Sequence, residues 1–286
     1  MGDGDGWGSC DQGHTHWGRY GASGVLPFHR GEDGVVRVLL QQRAWWGLGG
    51  GTWGMFGGAR HSHEDKVTAA LRETAEESTL DVRKVNVHGM IVEDHGGWDY
   101  ASVIGSVDPQ PVVEPASRET KRAEWVPVDE VTGRKLFAPF AGSWPTLRTA
   151  LTRQVLVVDA ANVVGARADG WWKDRVGANE RLRDDLAVLN DGVTGLAPFD
   201  RAFPEVVLVV EGQARGVDGI DGVRVVGAPG SGDDQIVDLV SHPEPDTSYS
   251  VVTADRELRE RIQAAGASYT GPRWLLERLP SRRSKR

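Results

Sequence analysis

The feature that most constrains this chain is a set of four glutamates at fixed spacing between residues 64 and 77. Glu64 is separated by seven residues from Arg72-Glu73, and Glu76-Glu77 follow. On a helix, which turns by about 100° per residue, Glu73, Glu76 and Glu77 project from one face. Like charges this close repel, and Arg72 offsets only part of that repulsion by pairing with Glu64 and Glu76. The remaining charge favours a hard divalent cation, Mg²⁺ or Mn²⁺, so a metal site is predicted on a helix over residues 62–80.

The chain before this helix decides between two interpretations of the glutamates. Arg-Glu-x-x-Glu-Glu alone is also typical of a solvated acidic face with i,i+4 salt bridges. Here a glycine-dense stretch, residues 47–58, leads to Glu64 at a fixed offset, and this combination favours the metal site. Ser62 is the expected N-cap of the helix. Strands over 22–28 and 35–41, separated by a turn, predict a hairpin before the glycine stretch.

The spacing from Gly58 through Glu64 and Arg72-Glu73 to Glu76-Glu77 resembles the Nudix box, and every charged position matches. The resemblance covers residues 17–152 and implies an α/β/α sandwich with a mixed sheet. The sequence departs from the family pattern at three positions, which are Thr74 in place of a bulky aliphatic residue, Thr79 in place of glycine and Phe56 in place of the usual proline. These departures concern loop geometry, and hence affinity and rate, more than metal binding.

The Nudix resemblance implies a Mg²⁺- or Mn²⁺-dependent enzyme that hydrolyses a diphosphate linked to a nucleoside or a similar group. Glu73, Glu76 and Glu77 would be the metal ligands. Arg72 would orient them, and Glu64 would support Arg72 or the metal shell, so all five are candidate catalytic residues. A cation that bridges phosphate oxygens neutralises developing charge and lowers the pKa of an attacking water. The general base is left open between Glu77 and the loop carboxylates Asp94 and Glu119.

The substrate side is less constrained, and a nucleotide or nucleoside diphosphate derivative is the expected partner. Gly58 in the glycine loop and Arg43, near the end of the strand that leads to it, are candidates for substrate binding. Trp53 and Trp98 are two further candidates among a dense group of aromatic residues, because stacking of a base on an aromatic ring contributes about 1–3 kcal/mol. Core packing is the alternative role of each aromatic residue.

The pattern changes after residue 152. Continuous apolar runs, among them Val155–Val158 and Val206–Val210, alternate with helical segments, which predicts a parallel sheet covered on both faces. Acidic residues follow these runs, where the carboxyl ends of parallel strands form one edge of the sheet and bind ligands. They are Asp159, Glu211, Asp233, Asp234 and Asp255. N-capping is the alternative role of an aspartate between a strand and a helix.

Residues 153–280 resemble PIN/NYN-like nuclease domains, through Asp159-Ala-Ala-Asn162, Gly232-Asp233-Asp234 and Ala254-Asp255-Arg256. The resemblance implies a PIN-like parallel α/β/α sandwich, so the chain as a whole is expected to be α/β with two domains. It also implies a ribonuclease in which Asp159, Asp233 or Asp234, and Asp255 hold a metal while Asn162 organises the site. RNA would then be a further partner.

The rest of the sequence gives expectations about the two ends of the chain, its location in the cell and its single cysteine. Residues 1–16 are predicted to be a flexible N-terminus and residues 281–286 a basic tail. No run of about 18 apolar residues or secretory signal is present, so we expect a cytoplasmic protein with no membrane contact. Cys10 is the single cysteine, which excludes an internal disulfide. Cys10, His14 and His16 suggest zinc, but without a fourth ligand nearby no zinc site is predicted.

Three hypotheses about the whole chain follow, and the third is that the second half is an inactive scaffold. In the first, a Nudix pyrophosphohydrolase is fused to a PIN-like ribonuclease, with a role in RNA 5′-end processing or nucleotide clean-up. In the second, the Nudix half binds nucleotides without turnover and regulates the nuclease, an idea motivated by Thr79 and Phe56. The sequence does not indicate which nucleotide is bound, because loops build the pocket, and it does not indicate the oligomeric state.

Overall fold

The computed structural model describes residues 2–167 and 171–280, and the chain divides into two compact units. The first unit contains the chain up to Leu151 together with Ala197–Arg201, and the second contains Thr152–Leu196 together with the chain from Ala202 onward. The predicted basic tail, residues 281–286, lies outside the described residues. Within the described ranges, no helix combines the length and the apolar character needed to cross a membrane.

The first unit is built around a mixed sheet. Its elements up to residue 151 are β1 (Trp7–Ser9), β2 (Thr15–Trp17), β3 (Ala22–Arg30), β4 (Val36–Arg43), β5 (Trp53–Gly54), β6 (Phe56–Ala59), α1 (Lys66–Glu77), β7 (Asn86–Asp94), β8 (Asp99–Ser106), β9 (Thr120–Pro127) and α2 (Ala138–Thr149). The strands run in the order β7-β8-β3-β4-β5, with β6 also paired to β3 and β9 to β4. Strands β3 and β8 are parallel and the other pairs in this sheet are antiparallel, which confirms the predicted mixed sheet.

Helix α1, which carries the glutamates, is shorter than predicted at both ends. Asp65 rather than Ser62 caps its N-terminus, because the Asp65 carboxylate accepts hydrogen bonds from the backbone N–H groups of Val67 and Thr68 at 2.9 and 3.0 Å. Its C-terminus lies at Glu77, since the backbone at Ser78 turns to an extended conformation. Glu73, Glu76 and Glu77 therefore occupy the last turn of the helix.

The core of the first unit lies between α1 and the sheet. Val25, Leu39, Phe56 and Val103 are fully buried there and surround Ala70 of α1. Phe56, one of the departures from the Nudix pattern, contributes its whole side chain to this core. Burying a phenylalanine contributes about 1.5–3 kcal/mol, so this aromatic residue stabilises the strand that leads to the glutamates.

The second unit has the predicted parallel sheet. The elements of the second half of the chain are β10 (Arg153–Asp159), α3 (Ala160–Gly165), α4 (Arg175–Leu186), β11 (Arg201–Ala202), β12 (Glu205–Val210), β13 (Val223–Gly227), α5 (Gly232–Ser241), β14 (Thr247–Val252), α6 (Arg256–Ala264), β15 (Ser268–Thr270) and α7 (Pro272–Leu276). The strand order is β13-β12-β10-β14-β15, and every pairing is parallel. The central strands are buried apolar runs, as expected for a sheet covered on both faces.

Two parts of the chain differ from the sequence expectations. Residues 1–16 are predicted to be flexible, yet residues 7–17 form the antiparallel hairpin of β1 and β2, in which the rings of Trp7 and Trp17 meet edge to face at 5.6 Å. Backbone pairing and this ring contact offset the low propensity of the Gly/Asp-rich composition. Ala197–Arg201 belongs to the first unit: Phe199 is buried there, and the Asp200 carboxylate accepts the backbone N–H of Val92 at 2.7 Å.

Candidate active site

Arg72 organises the glutamates of α1. Its Nε and one terminal nitrogen donate to the two carboxylate oxygens of Glu64 at 2.7 and 2.9 Å, a bidentate pair. Its other terminal nitrogen donates to Glu73 at 2.7 Å and lies 3.4 Å from Glu76. A further hydrogen bond to the carbonyl of Ala59, at 3.0 Å, ties the helix to β6. The guanidinium holds the pKa of Glu64 at about 2, so this carboxylate stays charged and paired.

Glu73 and Glu77 are anionic groups with too little counter-charge. Glu77 is 8% exposed, and burial raises its pKa to about 7, with the charge of Glu73 adding to the rise. Burial also raises the pKa of Glu73, despite its contact with Arg72. Glu76 is more open, with 60% of its side chain exposed. A cation placed among these carboxylates would offset the unfavourable desolvation of Glu73 and Glu77.

The buried end of Glu77 is held by a residue that the sequence reasoning missed. Gln41 donates its side-chain amide to Glu77 Oε2 at 2.9 Å, and the backbone N–H of Gly57 donates to the same oxygen at 3.2 Å. The Gln41 carbonyl oxygen accepts the hydroxyl of Thr120 at 2.7 Å. Gln41 directly follows the apolar run Val38–Leu40, and this position is the sequence signal that could have identified it. The structure buries Gln41 fully, and a buried polar side chain needs hydrogen-bond partners.

Gly58 brings the backbone of β6 against α1. A Cβ atom at this position would lie 2.4 Å from Glu73 Oε2 and 2.6 Å from the carboxyl carbon of Glu73. The glycine of the motif therefore leaves room for the Glu73 carboxylate beside β6, and its role is not to provide a special backbone angle. This contact places Glu73 beside the glycine loop.

Replacing Gly58 by alanine is expected to displace the Glu73 carboxylate and to raise the metal concentration needed for half-maximal activity. The contact costs about 1–3 kcal/mol if it is not relieved, which corresponds to roughly a tenfold to hundredfold effect. Metal titration of the reaction rate measures this. Gly142→Ala is the matched control, because a Cβ at Gly142 meets no heavy atom within 4 Å. Equal metal requirements in the two variants would contradict the role of Gly58.

The two threonines that depart from the Nudix pattern are both hydrogen-bonded. Thr74 is fully buried, and its hydroxyl donates to the carbonyl of Ala70 at 2.8 Å. Thr79 stands where the family has glycine, yet its φ is not positive. Its backbone N–H donates to the Glu114 carbonyl at 3.0 Å, and its hydroxyl accepts the Glu114 N–H at 2.9 Å. Both threonine hydroxyls therefore have hydrogen-bond partners in the structure.

The substrate candidates are placed differently from one another. Arg43 lies near the glutamates, since its charge lowers the pKa of Glu77, and its guanidinium lies 5.1 Å from the ring centre of Phe137. Trp53 is 5% exposed with Arg134 over its ring, and its burial argues against base stacking. Trp98 stacks one face on His16 at 4.0 Å. Trp45, which is 83% exposed in the loop after β4, has a freer ring.

Of the three candidates for the general base, Glu77 is the buried one. Asp94 is exposed at the end of β7 and accepts the backbone N–H of Gly96 at 2.8 Å. Glu119 is exposed in the loop before β9. Of the three, Glu77 is also the one that lies beside Glu73 and the glycine loop, which favours it as the proton acceptor.

The raised pKa of Glu77 predicts how metal-free stability depends on pH. The folded value of about 7 exceeds the ordinary value of 4.5, so the native state holds the proton more tightly than the unfolded state. This stabilising contribution is fully present below pH 4.5 and is lost as the pH rises through 7. Chemical denaturation in chelator should show a free energy of unfolding that falls between these values. The slope should be smaller in Glu77→Gln, and an unchanged slope would contradict the assignment.

In the second unit, acidic residues meet at the carboxyl edge of the sheet. Asp159 at the end of β10 is 5% exposed and accepts hydrogen bonds from the Thr253 hydroxyl at 2.8 Å and the Asn162 N–H at 3.0 Å. Burial raises the pKa of Asp159. Burial raises the pKa of Asp233, and the charges of Asp159, Asp255 and Glu211 raise it further. The four carboxylates therefore interact electrostatically.

Two predicted residues of this group have other partners as well. Asp234 pairs with Arg261 at 2.7 Å and is 71% exposed, so Asp233 is the member of the pair that faces the other acids. Asp255 caps α6 through the Leu258 N–H at 2.8 Å. Asn162 accepts the backbone N–H of Ala254 at 3.0 Å, which ties the start of α3 to the end of β14.

Comparison with known proteins identifies the first half of the chain. The NUDIX domain family matches residues 19–146. "Putative 8-oxo-dGTP diphosphatase 3" of Mycobacterium tuberculosis (strain H37Rv) is 42% identical over 155 residues, which cover 52% of this chain and 71% of that protein. A "Nucleoside triphosphate pyrophosphatase/Nudix hydrolase fusion protein" of Bifidobacterium longum is 40% identical over 152 residues. This chain spans 32% of that longer protein.

Among solved structures, RenU, a Nudix hydrolase from M. smegmatis, is 37% identical and covers 51% of this chain and 94% of its own, with a TM-score of 0.48. The family match contains the whole glutamate motif, from Gly58 to Glu77. The chain also covers more than two thirds of the M. tuberculosis protein at 42% identity. Through its first half, this chain belongs to the NUDIX family.

Proposed function

We propose that the first unit hydrolyses a diphosphate linkage in a nucleoside triphosphate, with 8-oxo-dGTP as the first candidate, and requires Mg²⁺ or Mn²⁺. The observation that carries the proposal is the pair of incompletely neutralised carboxylates beside the glycine loop, the buried Glu77 and the partly buried Glu73. The name of the M. tuberculosis relative supports the choice of nucleotide.

The donor set fits a hard divalent cation. Glu73, Glu76 and Glu77 would hold it, because they offer oxygen ligands whose charge Arg72 does not balance. When bound, such a cation neutralises charge on phosphate oxygens and acidifies an attacking water. Glu64 supports Arg72, since both of its carboxylate oxygens accept hydrogen bonds from the guanidinium.

The protein's own residues supply positioning and proton transfer. Arg72 fixes the rotamer of Glu73 and joins α1 to β6, so the carboxylates are held in place before the substrate binds. Glu77 accepts the proton of the attacking water, and Gln41 keeps its carboxylate oriented. Trp45 offers an exposed ring for the base. The cytoplasm supplies free nucleotides and keeps a free cysteine such as Cys10 reduced, so both features agree with a cytoplasmic location.

The products test the proposal. Incubation of the full chain with 8-oxo-dGTP, dGTP, ADP-ribose and NAD in Mg²⁺, followed by ion-exchange chromatography, identifies the substrate and the bond that is cut. We expect the nucleoside monophosphate and pyrophosphate from 8-oxo-dGTP. If the chain hydrolyses none of these four substrates, the proposal is wrong. The hydrogen-bonded Thr79 and the core position of Phe56 argue against the alternative of a sensing module that binds without turnover.

For the second unit we propose a PIN-like, metal-dependent ribonuclease, which would make the whole chain a fusion of two hydrolases. The proposal is supported by the electrostatic interaction of four acidic residues at the carboxyl edge of a parallel sheet, namely Asp159, Glu211, Asp233 and Asp255. Asp159→Asn is expected to lower Mn²⁺-dependent cleavage of single-stranded RNA by at least about a hundredfold. Asp221→Asn, at an exposed position, is the control. Cleavage at the wild-type rate by Asp159→Asn, or none by the wild type, would contradict this proposal.

A further inference from the structure

Four side chains suited to a transition metal meet outside the glutamate site. Cys10, His14 and His16 come from the turn and second strand of the β1–β2 hairpin, and His95 comes from the turn between β7 and β8. One ligand atom from each residue lies within 4.8 Å of those of the other three. The sequence supplied three of these residues, and the fold supplies the fourth.

The distances approach those of a tetrahedral zinc site. Zinc bonds to sulfur and nitrogen of about 2.0–2.3 Å place neighbouring ligand atoms roughly 3.3–3.8 Å apart in a tetrahedron. Cys10 Sγ and His16 Nε2 are already 3.4 Å apart. The His16 and His95 rings lie 4.8 Å apart between centres. A small contraction of the other pairs completes the geometry.

The backbone holds the two ligand-bearing turns together. The Asp11 N–H donates to the Gly96 carbonyl at 2.8 Å, and Gly96 adopts a φ of +72° in the turn after His95. A side chain at Gly96 would collide with Asp11, since a Cβ there would lie 2.7 Å from the Asp11 carboxylate. Within the hairpin, the Cys10 N–H donates to the His14 carbonyl at 3.1 Å. The four residues are thus brought together by backbone contacts that do not depend on a metal.

The side chains themselves are in the state that a metal requires. Cys10 is buried, at 7% exposed, and His95 Nδ1 is buried without a hydrogen-bond partner among the described residues. An unpaired buried nitrogen is unfavourable, and coordination gives the His95 ring a partner. Trp98 stacks on His16 at 4.0 Å and fixes its orientation.

We propose that Cys10, His14, His16 and His95 form a structural zinc site that fastens the N-terminal hairpin to the turn between β7 and β8. One thiolate and three imidazoles suit zinc, and four protein ligands leave no open position for catalysis. The site is distinct from the glutamates of α1, which offer oxygen ligands to a hard cation.

The segment just before the hairpin connects the proposed zinc site to the chain that precedes α1. The Asp3 carboxylate accepts the backbone N–H and the hydroxyl of Ser62 at 3.2 and 2.5 Å. The carbonyl of Gly4 accepts the Arg19 N–H at 2.9 Å. A metal that fixes the hairpin therefore also restrains the chain leading to Glu64. Its loss is expected to lower thermal stability, with a smaller effect on turnover.

Elemental analysis of the full chain, expressed without a polyhistidine tag, tests the proposal. We expect about one zinc per chain after dialysis against metal-free buffer. The zinc content should fall at least about tenfold in Cys10→Ser and in His95→Asn. His242→Asn is the control, since His242 is an exposed histidine of the second unit that is not among the four. Wild-type protein without zinc, or Cys10→Ser with unchanged zinc, would overturn the proposal.

Cobalt substitution keeps the test decisive if a variant fails to fold. Wild-type protein loaded with Co²⁺ should show intense visible bands of tetrahedral cobalt and a sulfur-to-cobalt charge-transfer band. Both should disappear when one equivalent of Zn²⁺ is added. A weak octahedral spectrum without the charge-transfer band would place the ion on carboxylates instead and would refute the site.

Discussion

Replacing Glu77 by glutamine is expected to lower kcat/KM for the nucleotide substrate by about 10²–10⁴-fold while leaving the fold intact. The buried carboxylate has two functions in the proposed site, since it would hold the divalent cation and accept the proton of the attacking water. The amide removes the charge and the basicity. Its carbonyl oxygen still accepts hydrogen bonds from Gln41 and Gly57, which preserves the local structure.

Steady-state kinetics at saturating Mg²⁺, with circular dichroism to check folding, measure the effect of Glu77→Gln. Glu32→Gln is the matched control, because Glu32 is an exposed residue of the turn between β3 and β4. It should retain wild-type activity. If Glu77→Gln stays within about threefold of the wild type, the catalytic assignment of Glu77 is wrong.

Replacing Arg72 by methionine is expected to destabilise the first unit by about 3 kcal/mol and to abolish most of the activity. Glu64 is 7% exposed at its side chain, and without Arg72 its charge would be buried and unpaired. Glu73 would lose its neutralising partner as well. Methionine keeps the aliphatic bulk, so the loss reports on charge and hydrogen bonding. Differential scanning calorimetry resolves the transition of this unit.

A surface pair provides the control for Arg72. Arg37 pairs with Asp33 at 2.6 Å, but half of the Asp33 side chain is exposed, so Arg37→Met should destabilise the unit far less than Arg72→Met does. Combining Arg72→Met with Glu64→Gln should recover part of the stability, since it removes the unpaired charge, but none of the activity. Equal stability of Arg72→Met and Arg37→Met would contradict the network.

The charged part of the site was predictable because its geometry is local. The spacing of Glu73, Glu76 and Glu77 specifies one helix face. The structure brings Arg72 to Glu64, Glu73 and Glu76. Gln41 was not predicted. It lies on a distant strand and reaches Glu77 only through the pairing of β4 with its neighbours.

Competition between two N-cap residues and contacts between distant residues explain the remaining differences between the sequence predictions and the structure. Ser62 and Asp65 are both good N-caps, and only the backbone geometry decides for Asp65. The N-terminal hairpin was missed because glycine and aspartate predict loops, whereas its stability comes from the contact of Trp7 with Trp17 and from the turn that carries His95. His95 lies far along the chain from Cys10, and no spacing rule connects them.

Parallel binding and turnover measurements on one preparation test the central claim, that the first unit is a working hydrolase. Titration calorimetry with 8-oxo-dGTP in Ca²⁺, which supports binding more readily than hydrolysis, gives the affinity, and product formation in Mg²⁺ gives the rate. We expect binding in both ions, turnover in Mg²⁺ and loss of turnover in chelator. Tight binding with no turnover in Mg²⁺ would contradict it and would make the first unit a nucleotide-sensing module.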